Sequence, residues 1–280
     1  MGRKDVAVIT PLLVDALGRS GSTLLMELLG TSSKIAFDRS YPFEQFWYRY
    51  LLAASRTIVG RAKPSPEWNN SSLLRDGGTE AAIRGAPPWA GGDLATDPES
   101  FFRALWTTFS EQLPEGSRYY AEKSPNARAI VHFPSVRPVQ ITVVRDPRDQ
   151  WLSILAFDER RGNYGFGRLA GEDVAAYRQR MLGLFRERLE YALALLEANE
   201  RGVYRYEDLV LRTDRVADDL SDLLDVSLDP RQITRRHAHI TAPGGPQGSV
   251  DRWRREMSSD ERRVFEDHLG PLLARVGYEP

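Results

Sequence analysis

The sequence contains no cysteine, which excludes disulfides, a thiolate nucleophile and any cysteine-ligated metal site, and fits a reducing, cytoplasmic setting. It also lacks an excess of charge: 38 Lys plus Arg against 39 Asp plus Glu leave a formal net charge of −1. A global basic field of the kind a dedicated nucleic-acid binder carries is therefore excluded, and any anion site must be local. Long apolar runs are missing as well. Asp15, Arg19 and Arg145 interrupt them far short of the ~20 residues that cross a bilayer, so no membrane span is expected. Nor does a small-residue cleavage site follow the charged start, which argues against a signal peptide.

What is present is ordinary globular composition: 280 residues, 41% hydrophobic and 28% charged. One domain spanning 1–280 is expected. Leu12 to Leu17 is a short apolar run ending at Gly18, and Ser22 to Leu29 is amphipathic before Gly30, which predicts strand, tight loop and helix. Helices are predicted over Glu44–Arg56, Pro98–Leu113, Pro147–Phe157, Ala170–Ala198, Asp214–Leu224 and Ser259–Val276. Strands are predicted over Tyr119–Glu122, Val139–Val144 and Gly202–Tyr206. Strands separated by helices imply an α/β fold with a central parallel sheet flanked by helices. Residues 60–97, rich in proline and glycine, read as an irregular insertion: a lid over an acceptor, a binding segment or a disordered stretch.

Two segments carry chemistry. Gly18-Arg19-Ser20-Gly21-Ser22-Thr23 lies between a strand and a helix, where backbone N–H groups and the helix dipole converge on an anion. The glycines admit phosphate to the backbone, Ser22 and Thr23 add hydroxyls, and Arg19 adds a charged fork. In the triphosphate loop Gly-x-x-x-x-Gly-Lys-Ser/Thr a lysine follows the second glycine; here Ser22 stands there and the cation precedes that glycine. The second segment, Arg145-Asp146-Pro147-Arg148-Asp149 followed by Ser153, begins at the carboxyl end of a strand, where open α/β sheets bind ligands. Its plain alternative is a turn in which Asp146 caps the helix and Arg148 and Asp149 are solvated.

Together these segments resemble the paired nucleotide-binding signatures of the PAPS-dependent sulfotransferases, which move a sulfuryl group from 3′-phosphoadenosine 5′-phosphosulfate (PAPS) to an acceptor and release the bisphosphate PAP. The family pattern Arg/Lys-Ser-Gly-Ser/Thr-Thr matches Arg19 to Thr23, and its Arg-Asp/Asn-Pro-Arg-Asp with a serine eight residues after the arginine matches Arg145 and Ser153. The resemblance implies a P-loop NTPase-like fold, with Arg19, Ser20, Gly21, Ser22 and Thr23 on the 5′-phosphosulfate and Arg145 and Ser153 on the 3′-phosphate. Tyr204 to Leu209 resembles the family's strand ending in Tyr-Glu-Asp-Leu, and Ser249 to Trp253 its late loop over the nucleotide. These add Tyr206, Ser249 and Arg252 to the expected binding set.

Lys123, in Glu122-Lys123-Ser124-Pro125, resembles the family lysine and is expected on the leaving or transferring oxygen. Cytosolic members place a histidine base two residues later; here that position is Pro125, which puts the chain closer to the bacterial and tyrosylprotein-type branches. Those use a glutamate after the first helix, so Glu44 is the expected base toward a hydroxyl-bearing acceptor, with Asp38 as the alternative. Because a sulfuryl group carries less charge than a phosphoryl group, arginine, lysine and backbone donors suffice, and no metal is expected. His237 and His239 have no third ligand nearby in sequence. Trp68 and Trp89 are candidates for an acceptor pocket. A P-loop small-molecule kinase, with Asp146 on magnesium, and a non-catalytic nucleotide-binding protein are the competing readings.

Overall fold

The structure, a computed structural model, describes residues 9–40, 43–58, 98–123, 125–162, 168–169, 171–234, 245 and 247–279. The irregular insertion, Trp68, Trp89, His237 and His239 lie outside the described residues. Five strands, β1 (Thr10–Ala16), β2 (Ile35–Ala36), β3 (Tyr119–Lys123), β4 (Val139–Val144) and β5 (Val203–Arg205), form one parallel sheet in the order β2-β3-β1-β4-β5. No described helix is long and apolar enough to cross a membrane. Contacts divide the chain into two compact units, Met1–Asp15 with Ser32–Gln140, and Ala16–Thr31 with Ile141–Pro280.

In the first unit β1 pairs with β3 from Thr10 against Tyr119 to Val14 against Lys123, and β2 pairs with β3 at Ile35 and Ala36. All five residues of β3 are buried, as befits a parallel strand covered on both faces. The helices α2 (Trp47–Ile58) and α3 (Pro98–Ser110) supply Tyr48, Leu52, Phe102 and Trp106 to a core shared with Leu13, Tyr120 and Ile130. Trp106 is fully buried and donates its indole N–H to the Ile9 carbonyl at 2.6 Å, which removes the penalty of burying that donor.

In the second unit α1 (Ser22–Leu29) follows the loop after β1, and β4 pairs with β5 from Thr142 against Val203. The helices α4 (Pro147–Arg161), α5 (Val174–Glu197) and α9 (Ser259–Val276) enclose Trp151, Tyr177, Phe185, Leu189, Phe265 and Leu273. Burying each such side chain contributes about 1.5–3 kcal/mol. Pro147 opens α4 and Asp146 caps it by accepting from the Arg148 N–H. A capping box of Ser258 and Glu261 starts α9. The remaining α-helices among the described residues are α6 (Tyr206–Leu211), α7 (Thr213–Leu224) and α8 (Trp253–Glu256).

Several boundaries differ from expectation. The β5 strand stops at Arg205 and Tyr206 is already helical. The α2 helix starts at Trp47, so Glu44 precedes it; Phe46 takes a left-handed φ of 63° that blocks an earlier start. The α5 helix starts at Val174 because Asp173 caps it, accepting from the Ala176 N–H. The short β2, α6 and α8 carry too few residues to show a period.

Candidate active site

The loop Gly18–Thr23 belongs wholly to the second unit. Gly21, at φ 94°, is the N-cap residue of α1, and no side chain caps that helix. Its first backbone N–H groups therefore have no side-chain cap, and partial positive charge gathers there. Gly21 there adopts the left-handed region that L side chains avoid. A Cβ on Gly21 would lie 2.4 Å from Cδ2 of Tyr206, so the ring of Tyr206 packs directly beneath the loop. The Ser20 hydroxyl donates to the Leu17 carbonyl at 2.6 Å and holds the loop's own turn. Gln150 donates its side-chain N–H to the Gly18 carbonyl at 2.6 Å.

Arg19 also has a left-handed φ, 67°. Its Nε donates to the Ser153 hydroxyl at 3.1 Å, and its guanidinium lies 4.7 Å from the Phe157 ring centroid. Arg145 is buried: one terminal nitrogen donates to the Arg19 carbonyl at 2.9 Å and the other to the Ser249 carbonyl at 2.8 Å. Its Nε is buried with no hydrogen-bond partner. The guanidinium stands 4.3 Å from the Tyr206 ring centroid, and the Tyr206 and Ser249 hydroxyls share a 2.6 Å hydrogen bond. Arg19, Gly21, Arg145, Ser153, Tyr206 and Ser249 are thus brought together by direct contacts. Arg252 is buried and paired with Glu256 at 2.7 Å. Trp253 is buried in the core of this unit, with Arg148 stacked 3.7 Å from its ring centroid.

Behind Arg145 lies an acidic group that the plain-turn alternative would leave solvated. Asp149 is 1% exposed and Arg148 3%. The solvated alternative is corrected: Arg148 makes two side-chain bonds to the Asp146 carboxylate and one to the Glu279 carbonyl. Asp149 accepts from the Trp253 N–H at 2.8 Å, tying α4 to the segment that carries Ser249. Its other oxygen is buried without a partner. Burial pushes its carboxyl up to about 7, against the lowering effect of nearby Arg145. Burial likewise raises Glu207, which accepts from the Asp146 N–H at 3.1 Å and from the Tyr278 hydroxyl at 3.0 Å.

In the first unit Lys123, at the end of β3, forms an ion pair with Glu44 at 2.8 Å, with side-chain exposures of 10% and 36%. Phe43 and Phe46, on either side of Glu44, have φ values of 66° and 63°. Such non-glycine conformations cost about 1–3 kcal/mol and persist where surrounding structure enforces them. Asp38 is spent on a local turn, accepting from the Ser40 N–H at 2.7 Å. Glu122, buried beside Lys123, accepts from the Trp47 and Tyr48 N–H groups at 2.7 and 3.4 Å. Sequence reasoning missed Glu122 and Asp149. The available signal was a charged residue inside an otherwise apolar strand and a second aspartate within the Arg145 motif.

A family model described as the sulfotransferase family matches residues 11–230. Comparison with curated protein sequences finds no match. Among solved structures, the sulfotransferase domain of the Synechococcus PCC 7002 olefin synthase aligns at 17% identity and a TM-score of 0.51, covering 100% of this chain and 98% of that one. The sulfotransferase STF9 from Mycobacterium avium aligns at 16% identity and a TM-score of 0.52, covering 98% and 79%. At these identities the likeness speaks to the fold.

Proposed function

This chain belongs to the sulfotransferase family, and from that premise we propose that it transfers the sulfuryl group of PAPS to a hydroxyl of its acceptor by in-line, metal-independent transfer. One observation carries the reading. Arg145 reaches the Arg19 carbonyl, and Arg19 reaches Ser153, so two places suited to anions are built as one frame beside a helix N-terminus that no side chain caps. The residues fit the donor on structural grounds: an α1 N-terminus that no side chain caps, and a buried, unpartnered Nε on Arg145.

The backbone N–H groups at Gly21, Ser22 and Thr23, with the Ser22 and Thr23 hydroxyls, would hold the 5′-phosphosulfate; Ser20 supports them by fixing the turn. Arg145 and Ser153 would hold the 3′-phosphate, with Tyr206, Ser249 and Arg252 around them. The donor supplies an activated sulfur whose leaving group is a phosphate oxygen. By the family resemblance, Arg19 and Lys123 would each stabilise charge building on that oxygen as its bond to sulfur breaks. Glu44 takes the proton of the acceptor hydroxyl as the new oxygen–sulfur bond forms; Asp38 is the alternative base.

The test is turnover of labelled PAPS against a panel of phenols, sugars, lipids and natural-product alcohols. A sulfated product formed without added metal supports the reading. Absence of product across the panel with PAPS bound would support a non-catalytic nucleotide-binding role instead. Glu44→Gln and Asp38→Asn separate the two bases: loss in the first alone is expected.

A further inference from the structure

The β3 strand ends on two adjacent charged residues that grip one short segment in two places. Lys123 holds Glu44 at 2.8 Å. Glu122, 1% exposed, reaches three and four residues further along and accepts from the N–H groups of Trp47 and Tyr48, the first two residues of α2. The first turn of α2 has no acidic residue of its own. Its opening N–H groups have no partner within the helix, so a carboxylate from the neighbouring strand does what a local cap would otherwise do, aided by the helix dipole. Between the two grips lies Phe46 in the left-handed region, and Phe43 before Glu44 is there too. A segment with two such residues does not keep its course unaided. The Tyr48 hydroxyl adds a further tie, accepting from the Leu12 N–H at 2.9 Å and donating to the Tyr120 carbonyl.

We propose that Glu122 is a positioning residue that sets Glu44 opposite Lys123 by anchoring the start of α2; this rests on the reading of Glu44 as the base. Glu122 touches backbone rather than substrate and acts through Glu44. Replacing it with glutamine leaves one acceptor oxygen and turns an NH₂ group toward a backbone N–H, so the α2 start shifts. A displacement of about 1 Å at a reacting group costs on the order of 100-fold in rate.

The experiment compares wild type, Glu122→Gln, Glu44→Gln and the double variant in three measurements. Calorimetry with PAP reports whether the nucleotide site is intact and is expected to be unchanged. Steady-state turnover is measured with an aliphatic alcohol and with a nitrophenol, which needs little help from a base. Glu122→Gln is expected to lower kcat for the alcohol roughly 10- to 100-fold and for the nitrophenol far less. The double variant should lose no more than Glu44→Gln alone. Acylation of lysines by acetic anhydride, read by mass spectrometry, is independent of turnover: reactivity of Lys123 should rise several-fold in Glu122→Gln and in Glu44→Gln, with Lys34 unchanged. Equal slowing of both acceptors, multiplicative losses in the double variant, or Lys123 reactivity that rises only in Glu44→Gln would overturn the proposal. If wild type sulfates nothing, the functional reading fails and acylation alone decides the positioning role. If Glu122→Gln does not fold, Glu122→Asp, which keeps the charge and shortens the reach, takes its place with the same expectations.

Discussion

Asp149 shows how much a single side chain can reveal about the ground beneath a binding site. Its carboxyl is raised from 3.8 to about 7 chiefly by burial, so the folded protein holds the proton more tightly than the unfolded chain. Stability linked to this group is therefore full below about pH 4 and is lost as pH rises toward 7, by an amount on the order of a few kcal/mol. Asp149→Asn keeps an oxygen for the Trp253 N–H and removes the charge. Its melting temperature should match wild type near pH 4 and exceed it at pH 8; thermal melts across that range check this, and a constant offset would contradict it. Arg145 makes a different prediction. Arg145→Ala should weaken PAP binding about 10- to 100-fold, the worth of one charged hydrogen bond, while adenosine 5′-phosphosulfate, which lacks the 3′-phosphate, loses far less. Calorimetry with both ligands reads the difference. Arg19→Ala should lower kcat more than PAPS affinity, because the loop's backbone N–H groups remain; steady-state kinetics separate the two.

At the scale of elements, the loop Gly18–Thr23 depends on α6 as much as on its own glycines. Gly21→Ala would put a methyl group into the Tyr206 ring at a φ of 94°, so the loop or the ring must move. PAP affinity should fall at least tenfold and the melting temperature by several degrees, checked by calorimetry and a thermal melt; unchanged affinity would mean that the ring tolerates the shift. The sequence signals explain which elements were legible. Val139–Val144 is a β-branched run, and Ser259–Val276 opens on a serine with a glutamate two residues into the helix; both were read with the observed bounds. Tyr206 was assigned to a strand because Val203 to Arg205 is too short to show a period and no turn residue separates it from α6. The α2 start was placed three residues early because the break is made by a left-handed phenylalanine and by Glu122, 75 residues away in sequence. No local pattern can report a cap that arrives from another element.

For the whole molecule, near-neutral charge is compatible with the proposed anion site, because such a site needs cations concentrated locally rather than in excess. Arg19 and Arg145 lie in one small frame, with the buried carboxyls of Asp149 and Glu207 behind it. The motifs behind the proposed donor side were legible because phosphate recognition uses loops with fixed spacing between glycine, hydroxyl and arginine. The acceptor side was not, since apolar recognition leaves no such spacing, and Trp68 and Trp89 lie outside the described residues. The central claim is that the paired anion frame is made for a 3′,5′-bisphosphate. Calorimetric titration with PAP, ADP and ATP, each with and without magnesium, tests it most directly. Tight binding of PAP alone, unchanged by magnesium, is the predicted result; magnesium-dependent binding of ATP in preference to PAP would contradict it.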